Sequence, residues 1–263
     1  MIKALFFDID GTLVSFKTHT IPSSTLQALE AAKANGLKIF IATGRPRVII
    51  TNLGALQERQ LIDGYVSMNG AYCFVGEEVI YKSPIPADEV QHVLNYCHQR
   101  QVPCIVVGER DIAVAHASDL VHQIFNELLG VDFPLPPLAS AEALPTREVF
   151  QLTPFFTVEQ ESEVRASLPG CEFGRWHPAF IDLTARDNNK QRGISLMANH
   201  FGIRAEETMS FGDGGNDIPM LLHAGIGVAM GNATDEVKAS ADYVTTSVDE
   251  DGIWNALKHF QLI

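Results

Sequence analysis

No stretch of this 263-residue chain approaches the roughly 18 consecutive apolar residues that a membrane-spanning helix needs. Positive charge is also scarce: 19 Lys and Arg stand against 32 Asp and Glu, a formal net charge of −13. An acidic surface repels a nucleic-acid backbone and anionic lipid, which argues against both as partners. The four cysteines (Cys73, Cys97, Cys104 and Cys171) have neither paired nor metal-type spacing, so no disulfide framework and no zinc site is expected. The nine histidines contain no HExxH, and no Gly-x-Ser-x-Gly elbow occurs, which leaves a zinc protease or a serine hydrolase without support. No internal repeat or low-complexity tract is evident. Met1-Ile2-Lys3 runs into Ala4–Phe7, an apolar stretch too short for a signal peptide. The expectation is a cytoplasmic protein with reduced thiols and no obligate protein partner.

What is present is apolar material, 46% of the chain, enough to build a sizeable core. The segment from Lys3 to Asp10 is apolar on consecutive positions, as in a strand buried on both faces of a parallel sheet. Pro22-Ser23-Ser24 opens a helix that Gly36 stops. A second apolar strand (37–42), a helix after Pro46 to about Arg59, and a third strand over 65–68 follow. Strand and helix in alternation indicate an α/β fold with right-handed crossovers.

After Tyr81 the rhythm changes, with Ser83-Pro84-Ile85-Pro86 as a hinge. A helix over 87–100, strands near 104–107 and 112–115, a helix over 118–129, a Pro-rich loop at 134–137, and strands near 149–152, 172–174 and 179–183 read as an α+β domain. From Lys190 the α/β alternation returns. The simplest organisation is a Rossmann-like parallel-sheet core made of 1–83 and 184–263, with an α+β domain inserted at 84–183.

Four features carry chemistry. Asp8 and Asp10 sit two apart at the end of the first strand, where side chains share a side. In open α/β sheets ligands bind beyond the carboxyl ends of strands. Phe211-Gly-Asp-Gly-Gly-Asn-Asp217 is an acidic turn whose glycines allow close backbone approach. Its Asp213 suits a hard cation such as Mg²⁺. Ala42-Thr-Gly-Arg45 offers a hydroxyl and N–H groups at a strand-to-helix junction, suited to an anion or to a helix cap. Lys190 opens a helix and gains meaning only beside the other three. Gly225-Ile-Gly-Val-Ala-Met-Gly231 imitates a dinucleotide fingerprint, but its first glycine precedes the strand and no acidic partner follows. Asn232-Ala-Thr-Asp-Glu reads as the cap of the next helix.

Together these segments resemble the haloacid dehalogenase superfamily, in the family's order: Asp8-Ile-Asp-Gly-Thr-Leu13, Thr43-Gly-Arg45, Lys190, then Gly212-Asp-Gly-Gly-Asn-Asp217. Asn69-Gly-Ala71 and the position of the insert resemble the Cof-type branch, class IIB, whose α/β cap sits between the second and third motifs. The resemblance implies a Mg²⁺-dependent phosphatase acting on small phosphorylated metabolites, hexose phosphates foremost. It implies Asp8 as nucleophile and Asp10 as general acid and base. Asp8, Asp213 and the Asp10 carbonyl would bind the metal. Thr43, Lys190, Asn216 and the Gly44 and Ile9 amides would hold phosphate, with Arg45 and Asp217 behind them. Dehalogenases lack an acid at the position of Asp10 and transport ATPases carry Thr there, so the acid favours ester hydrolysis. The alternatives are a phosphomutase or other phosphoryl transferase on the same fold, or a non-catalytic phospho-ligand sensor. Trp176 and His177 are candidates for meeting the leaving group.

Overall fold

The computed structural model describes residues 1–129 and 148–263, with the backbone alone for Phe125–Leu129 and Trp176. The Pro-rich loop expected at 134–137 therefore lies outside the described residues. The strands in chain order are β1 (Ala4–Phe7), β2 (Lys38–Ala42), β3 (Gly64–Ser67), β4 (Tyr72–Val75), β5 (Glu78–Lys82), β6 (Cys104–Val107), β7 (Ile112–Ala115), β8 (Gln151–Pro154), β9 (Cys171–His177), β10 (Phe180–Ala185), β11 (Thr208–Gly212), β12 (Ile226–Ala229) and β13 (Tyr243–Val244). The chain divides into two compact units. One comprises Met1–Gly44, Ile50–Tyr81 and Asn189–Ile263, and the other Arg45–Ile49 and Lys82–Asn188.

The first unit is built on an eight-stranded sheet ordered β13-β12-β11-β1-β2-β3-β4-β5. β1 lies between β11 and β2, parallel to both, and the parallel run extends from β13 to β3 before β4 returns antiparallel. The consecutive apolar residues of β1 follow from this position. Leu5 and Phe7 enter one core with Ile39, Ile41 and Phe211, while Ala4 and Phe6 enter the other with Phe40, Ala42 and Val66. Stacked rings bridge neighbouring strands on each face: Phe6 on Phe40 with centroids 4.7 Å apart, and Phe7 on Phe211 at 4.6 Å. Each fully buried Phe contributes about 2–3 kcal/mol from burial alone, so this strand is among the least replaceable parts of the fold.

Three expectations are corrected here. β1 ends at Phe7, so Asp8 and Asp10 belong to the turn beyond it, and Asp10 makes an isolated bridge to Val14. The helix expected from Pro46 to Arg59 is two short pieces, a 3₁₀ turn over Arg47–Ile49 and a helix over Gly54–Glu58. The β-branched run Val48-Ile49-Ile50-Thr51 loses side-chain freedom in a helix and breaks it. β5 was not anticipated because it is largely exposed and lacks a buried strand's apolar run, and β4 was not anticipated although Tyr72–Val75 is apolar and mostly buried.

The second unit carries a five-stranded sheet, β7-β6-β8-β10-β9, antiparallel at the pairs β6–β7, β6–β8, β8–β10 and β9–β10. β6 and β7 occupy their expected positions. β8 starts two residues later than expected, at Gln151. Its register is set by polar pairing: Gln151 Nε2 and Thr153 Oγ1 donate to the buried Asp182 of β10 at 3.0 and 2.7 Å.

At the amino ends of β1 and β11, Glu207 closes the sheet. Its carboxylate accepts from Lys3 Nζ at 2.8 Å and from the Arg204 N–H at 3.1 Å. The Lys3 bond, the Arg204 bonds and the nearby Lys3 charge lower its pKa from the ordinary 4.5 to about 2. A depressed carboxyl contributes stability above its unfolded pKa and loses it as pH falls toward the folded value. Glu207→Gln is therefore expected to lower the melting temperature at pH 7. Thermal melts followed by circular dichroism between pH 7 and pH 3 should show that gap shrinking once the pH drops below 4.5.

Candidate active site

The carboxyl ends of β1, β2 and β11 lie side by side, and the turn after each strand bears polar residues. Between the turns after β1 and β11, and from the first residue of helix Lys190–His200, comes a buried ion cluster. Lys190 is fully buried and donates through Nζ to Asp8 Oδ1 at 2.5 Å and to Asp217 Oδ1 at 2.6 Å. Burial alone would depress the lysine pKa. The carboxylates of Asp217 and Asp8 outweigh that and hold it above the ordinary value, so the ammonium stays charged.

Asp217 bonds through both of its oxygens. Its other oxygen, Oδ2, accepts from the N–H groups of Asp213 and Gly214, both at 2.9 Å, which closes the acidic turn on itself. Asp213 accepts from Thr12 Oγ1 at 2.8 Å. Burial, then the Asp217 charge, pushes its carboxyl up to about 7. Burial likewise raises the Asp8 carboxyl well above the usual range, against the pull of Lys190. Asp8, Asp213 and Asp217 each offer an oxygen within 4.8 Å of the others'. The Asp10 carboxyl is not part of this trio, and Asp10 is half-buried.

These donors suit a hard divalent cation. All are carboxylate oxygens, and hard cations select oxygen over sulfur or imidazole. Asp217 already serves Lys190 and two backbone donors, which leaves Asp8 and Asp213 as the side chains open to a metal.

The turns depend on one close approach. Gly11 has φ +86°, and a Cβ there would stand 2.2 Å from Asp213 Oδ2. No other residue fits between the first acidic turn and the second.

The remaining expected residues divide. Ile9 sits under the turn, its carbonyl accepting from the N–H groups of Leu13 and Val14. Among the described residues the N–H groups of Ile9 and Gly44 donate to no protein acceptor. Thr43 is buried at the end of β2, its N–H bound to the Val66 carbonyl at 2.8 Å. Asn216 donates through Nδ2 to Asn69 Oδ1 at 3.2 Å. Arg45 is grouped with the second unit, where its guanidinium donates to the Ile49 carbonyl at 3.2 Å. His177 accepts from the Ala179 N–H at 3.2 Å and stacks on Phe180, local bonds that account for its position in β9. The Trp176 side chain lies outside the described residues.

Three residues at the site went unread in the sequence. Thr12 looked like a turn residue, yet it orients Asp213. The segment Asn232-Ala-Thr-Asp-Glu was read as capping the next helix, and Thr234 within it is the N-cap of the helix at Asp235–Ala239, but that reading missed the contacts of Asn232 itself. It donates through Nδ2 to the Gly11 carbonyl at 2.9 Å and to Asp213 Oδ2 at 3.4 Å, and accepts from the Val248 N–H at 3.0 Å. Asn69 carried no chemical reading of its own. No spacing rule finds the partners of such residues, because the contacts span 221 positions from Asn232 to Gly11 and 147 from Asn216 to Asn69.

A parallel α/β core with an aspartate-lysine cluster beyond its strand ends defines a class of hydrolase. The model of the haloacid dehalogenase-like hydrolase family matches residues 5–257, and the chain belongs to that family. It is 33% identical over 262 residues to YkrA of Bacillus subtilis strain 168, covering 99% of this chain and 98% of that protein. It is also similar to the HAD subclass IIB sugar phosphatase BT4131, with 62% identity, a TM-score of 0.93, and coverage of 99% of this chain and 100% of the other. The phosphatase BT1666 of Bacteroides thetaiotaomicron matches at 38% identity with a TM-score of 0.89, over 100% of this chain and 96% of that one. No helix among the described residues is long and apolar enough to cross a membrane.

Removing one charge from the cluster should be costly. Asp217→Asn cannot satisfy the Lys190 ammonium and both backbone N–H groups at once. Buried bonds to charged groups contribute about 1.5–3 kcal/mol each, so a loss of about 3 kcal/mol is expected in urea unfolding. A loss below about 0.5 kcal/mol would show that Asp217 does not hold this cluster together.

Proposed function

We propose that this chain is a Mg²⁺-dependent phosphatase that hydrolyses small phosphorylated metabolites, sugar phosphates foremost, through an aspartyl-phosphate on Asp8. The observation that carries the reading is the buried Asp8 carboxylate, tied at one oxygen to Lys190 and set beside Asp213. Asp8 and Asp213, with the Asp10 carbonyl, would hold the Mg²⁺. When bound, the ion offsets the repulsion between the Asp8 carboxylate and an incoming phosphate dianion.

The chain's own residues do the rest. An Asp8 carboxylate oxygen forms a bond to phosphorus in line with the ester oxygen, whose bond to phosphorus breaks. Asp10, in its protonated form, gives that oxygen its proton, and the alcohol leaves. The Asp10 carboxylate then takes a proton from a water molecule, whose oxygen bonds to phosphorus as the bond to Asp8 breaks. Inorganic phosphate is released and Asp8 is again a carboxylate. Thr43, Asn216 and the N–H groups of Ile9 and Gly44 would hold the phosphoryl oxygens, and Lys190 fixes Asp8 and favours its charged form. Asp217 orients Lys190 and the acidic turn.

The sugar-phosphate reading rests on similarity to the sugar phosphatase BT4131. We assign substrate choice to the inserted domain at 84–183, separate from the chemistry of the core. The four cysteines are all free and buried, which fits a reducing cytoplasm.

The test is phosphate release from a panel of sugar phosphates, nucleotides and coenzyme phosphates with Mg²⁺ and no acceptor sugar. Release is expected from the sugar phosphates, whereas turnover that needs an acceptor would point to a mutase. Asp8→Asn should bring release down to the enzyme-free blank with the melting curve intact, and near-normal activity in that variant would remove the nucleophile. Asp10→Asn should cut kcat by about 10²–10⁴-fold, and an unaltered rate there would exclude its acid–base role.

A further inference from the structure

The turn after β3 has an unusual backbone. Met68, Asn69 and Gly70 all adopt left-handed conformations in succession, with φ of 49°, 50° and 91°. Left-handed backbone is uncommon outside glycine, and a methionine there is held by its surroundings. What holds this turn lies in three places, all within the first unit. The Asn69 N–H donates to the Thr43 carbonyl at 3.0 Å. The Asn69 side chain accepts from Asn216 Nδ2 and stands 3.3–3.4 Å from where a Gly44 Cβ would be. Gly70 meets the start of the lysine helix so closely that a Cβ would stand 2.3 Å from the Asn189 carbonyl oxygen. Asn189 is that helix's N-cap, bonding the Arg192 N–H at 2.8 Å, and Lys190 follows it.

The turn at 68–70 thus touches, one by one, the segments carrying Thr43 and Gly44, Asn216, and Lys190. These segments are far apart in sequence, and Asn69 joins the Asn216 amide to the loop after β2, through its backbone on one side and its carboxamide on the other.

Resting on the phosphatase reading, we infer that Asn69 is a positioning residue: it holds the Asn216 amide against the Thr43-Gly44 loop so that both face one phosphoryl group. Asn69 acts through Asn216 and is assigned no contact with substrate. Its two requirements separate cleanly. The left-handed backbone needs Asn or Gly, and the brace needs the side-chain oxygen.

Asn69→Gly keeps the backbone conformation and deletes the brace, which makes it the informative variant. Steady-state kinetics with a hydrolysed sugar phosphate and calorimetric binding of inorganic phosphate with Mg²⁺ are measured for wild type, Asn69→Gly, Asn216→Ala and the double variant, with thermal melts as a control on folding. Asn69→Gly is expected to weaken phosphate binding and kcat/KM by roughly ten- to hundredfold. In the Asn216→Ala background the same change should cost less than about twofold, because a residue acting through another has nothing left to act on. Losses that multiply in the double variant, or no loss in Asn69→Gly, overturn the positioning role while leaving the phosphatase reading in place. Should wild type bind phosphate but hydrolyse no ester, the phosphatase reading fails. The binding cycle then decides the brace alone: a non-additive loss supports it and an additive or absent one overturns it. A wild type that neither binds phosphate nor turns over an ester overturns both.

Discussion

The cluster depends on one buried ammonium, shared by two carboxylates. Lys190 has no exposure to solvent, and an unpaired charge in that position would cost several kcal/mol. Asp8 and Asp217 offset this cost by bonding it directly, and Asp217 is in turn fixed by two backbone N–H groups. The ion pair therefore does more than balance charge. It ties the turn after β1, the turn after β11 and the start of a helix to a common point, although Lys190 and Asp8 are 182 positions apart. A lysine at the surface would be free to swing; this one is held in place.

The sheet makes that convergence possible. Parallel strands put the same chemical end of each strand on the same edge, so the turns after β1, β2 and β11 emerge together without further design. β1 is central, and its alternation of Leu5 and Phe7 with Ala4 and Phe6 fills the cores on both faces. The turn bearing Asp8 thus extends from the most constrained strand in the unit. Rigid support of this kind is what a site needs if its groups must stay within fractions of an ångström.

How much of this was readable in the residues varies with the kind of signal. β6 and β7 could be located from apolar runs because burial sets both the pattern and the boundary. β8 was expected two residues too early, because Gln151 and Thr153 answer to a buried aspartate in another strand, a partner that local patterning does not reveal. Asp8 and Asp213 stood out because charged residues among glycines and apolar neighbours are poorly explained as surface, whereas Lys190 gained meaning only from their company. Asp217 was read as positioning Lys190 or the metal waters; its Oδ1 accepts from Lys190 and its Oδ2 from the Asp213 and Gly214 N–H groups. The Asn232-Ala-Thr-Asp-Glu segment does cap a helix, through Thr234, but only the fold discloses that the turn after β1 lies within reach of Asn232. Asn69 was invisible for a different reason: its significance lies in a left-handed backbone and a carboxamide contact, neither of which has a periodicity.

Charge explains why such braces matter in an acidic protein. Asp8, Asp213 and Asp217 bring three carboxyl groups near one lysine, with the Asp10 charge acting on Asp8 and Asp213, in a chain whose net charge is already −13. Two like charges 4 Å apart repel by about 4 kcal/mol at an effective dielectric near 20. A phosphate dianion approaching Asp8 would therefore meet a barrier that Lys190 alone does not cancel. On the proposed reading, a divalent cation held by Asp8 and Asp213 would remove most of it at the nucleophile. The far oxygens of the phosphoryl group would then be held by uncharged donors, and amides would supply them without adding charge to the cluster. Neutral donors bind weakly unless they are already aimed, because each would otherwise lose conformational freedom on binding. The Asn216 carboxamide is aimed by Asn69, and Asn69 is aimed by a strained turn that three neighbouring segments hold in place. In this arrangement the charged groups supply the attraction, and the stiffness of the backbone after β3 makes the neutral ones effective.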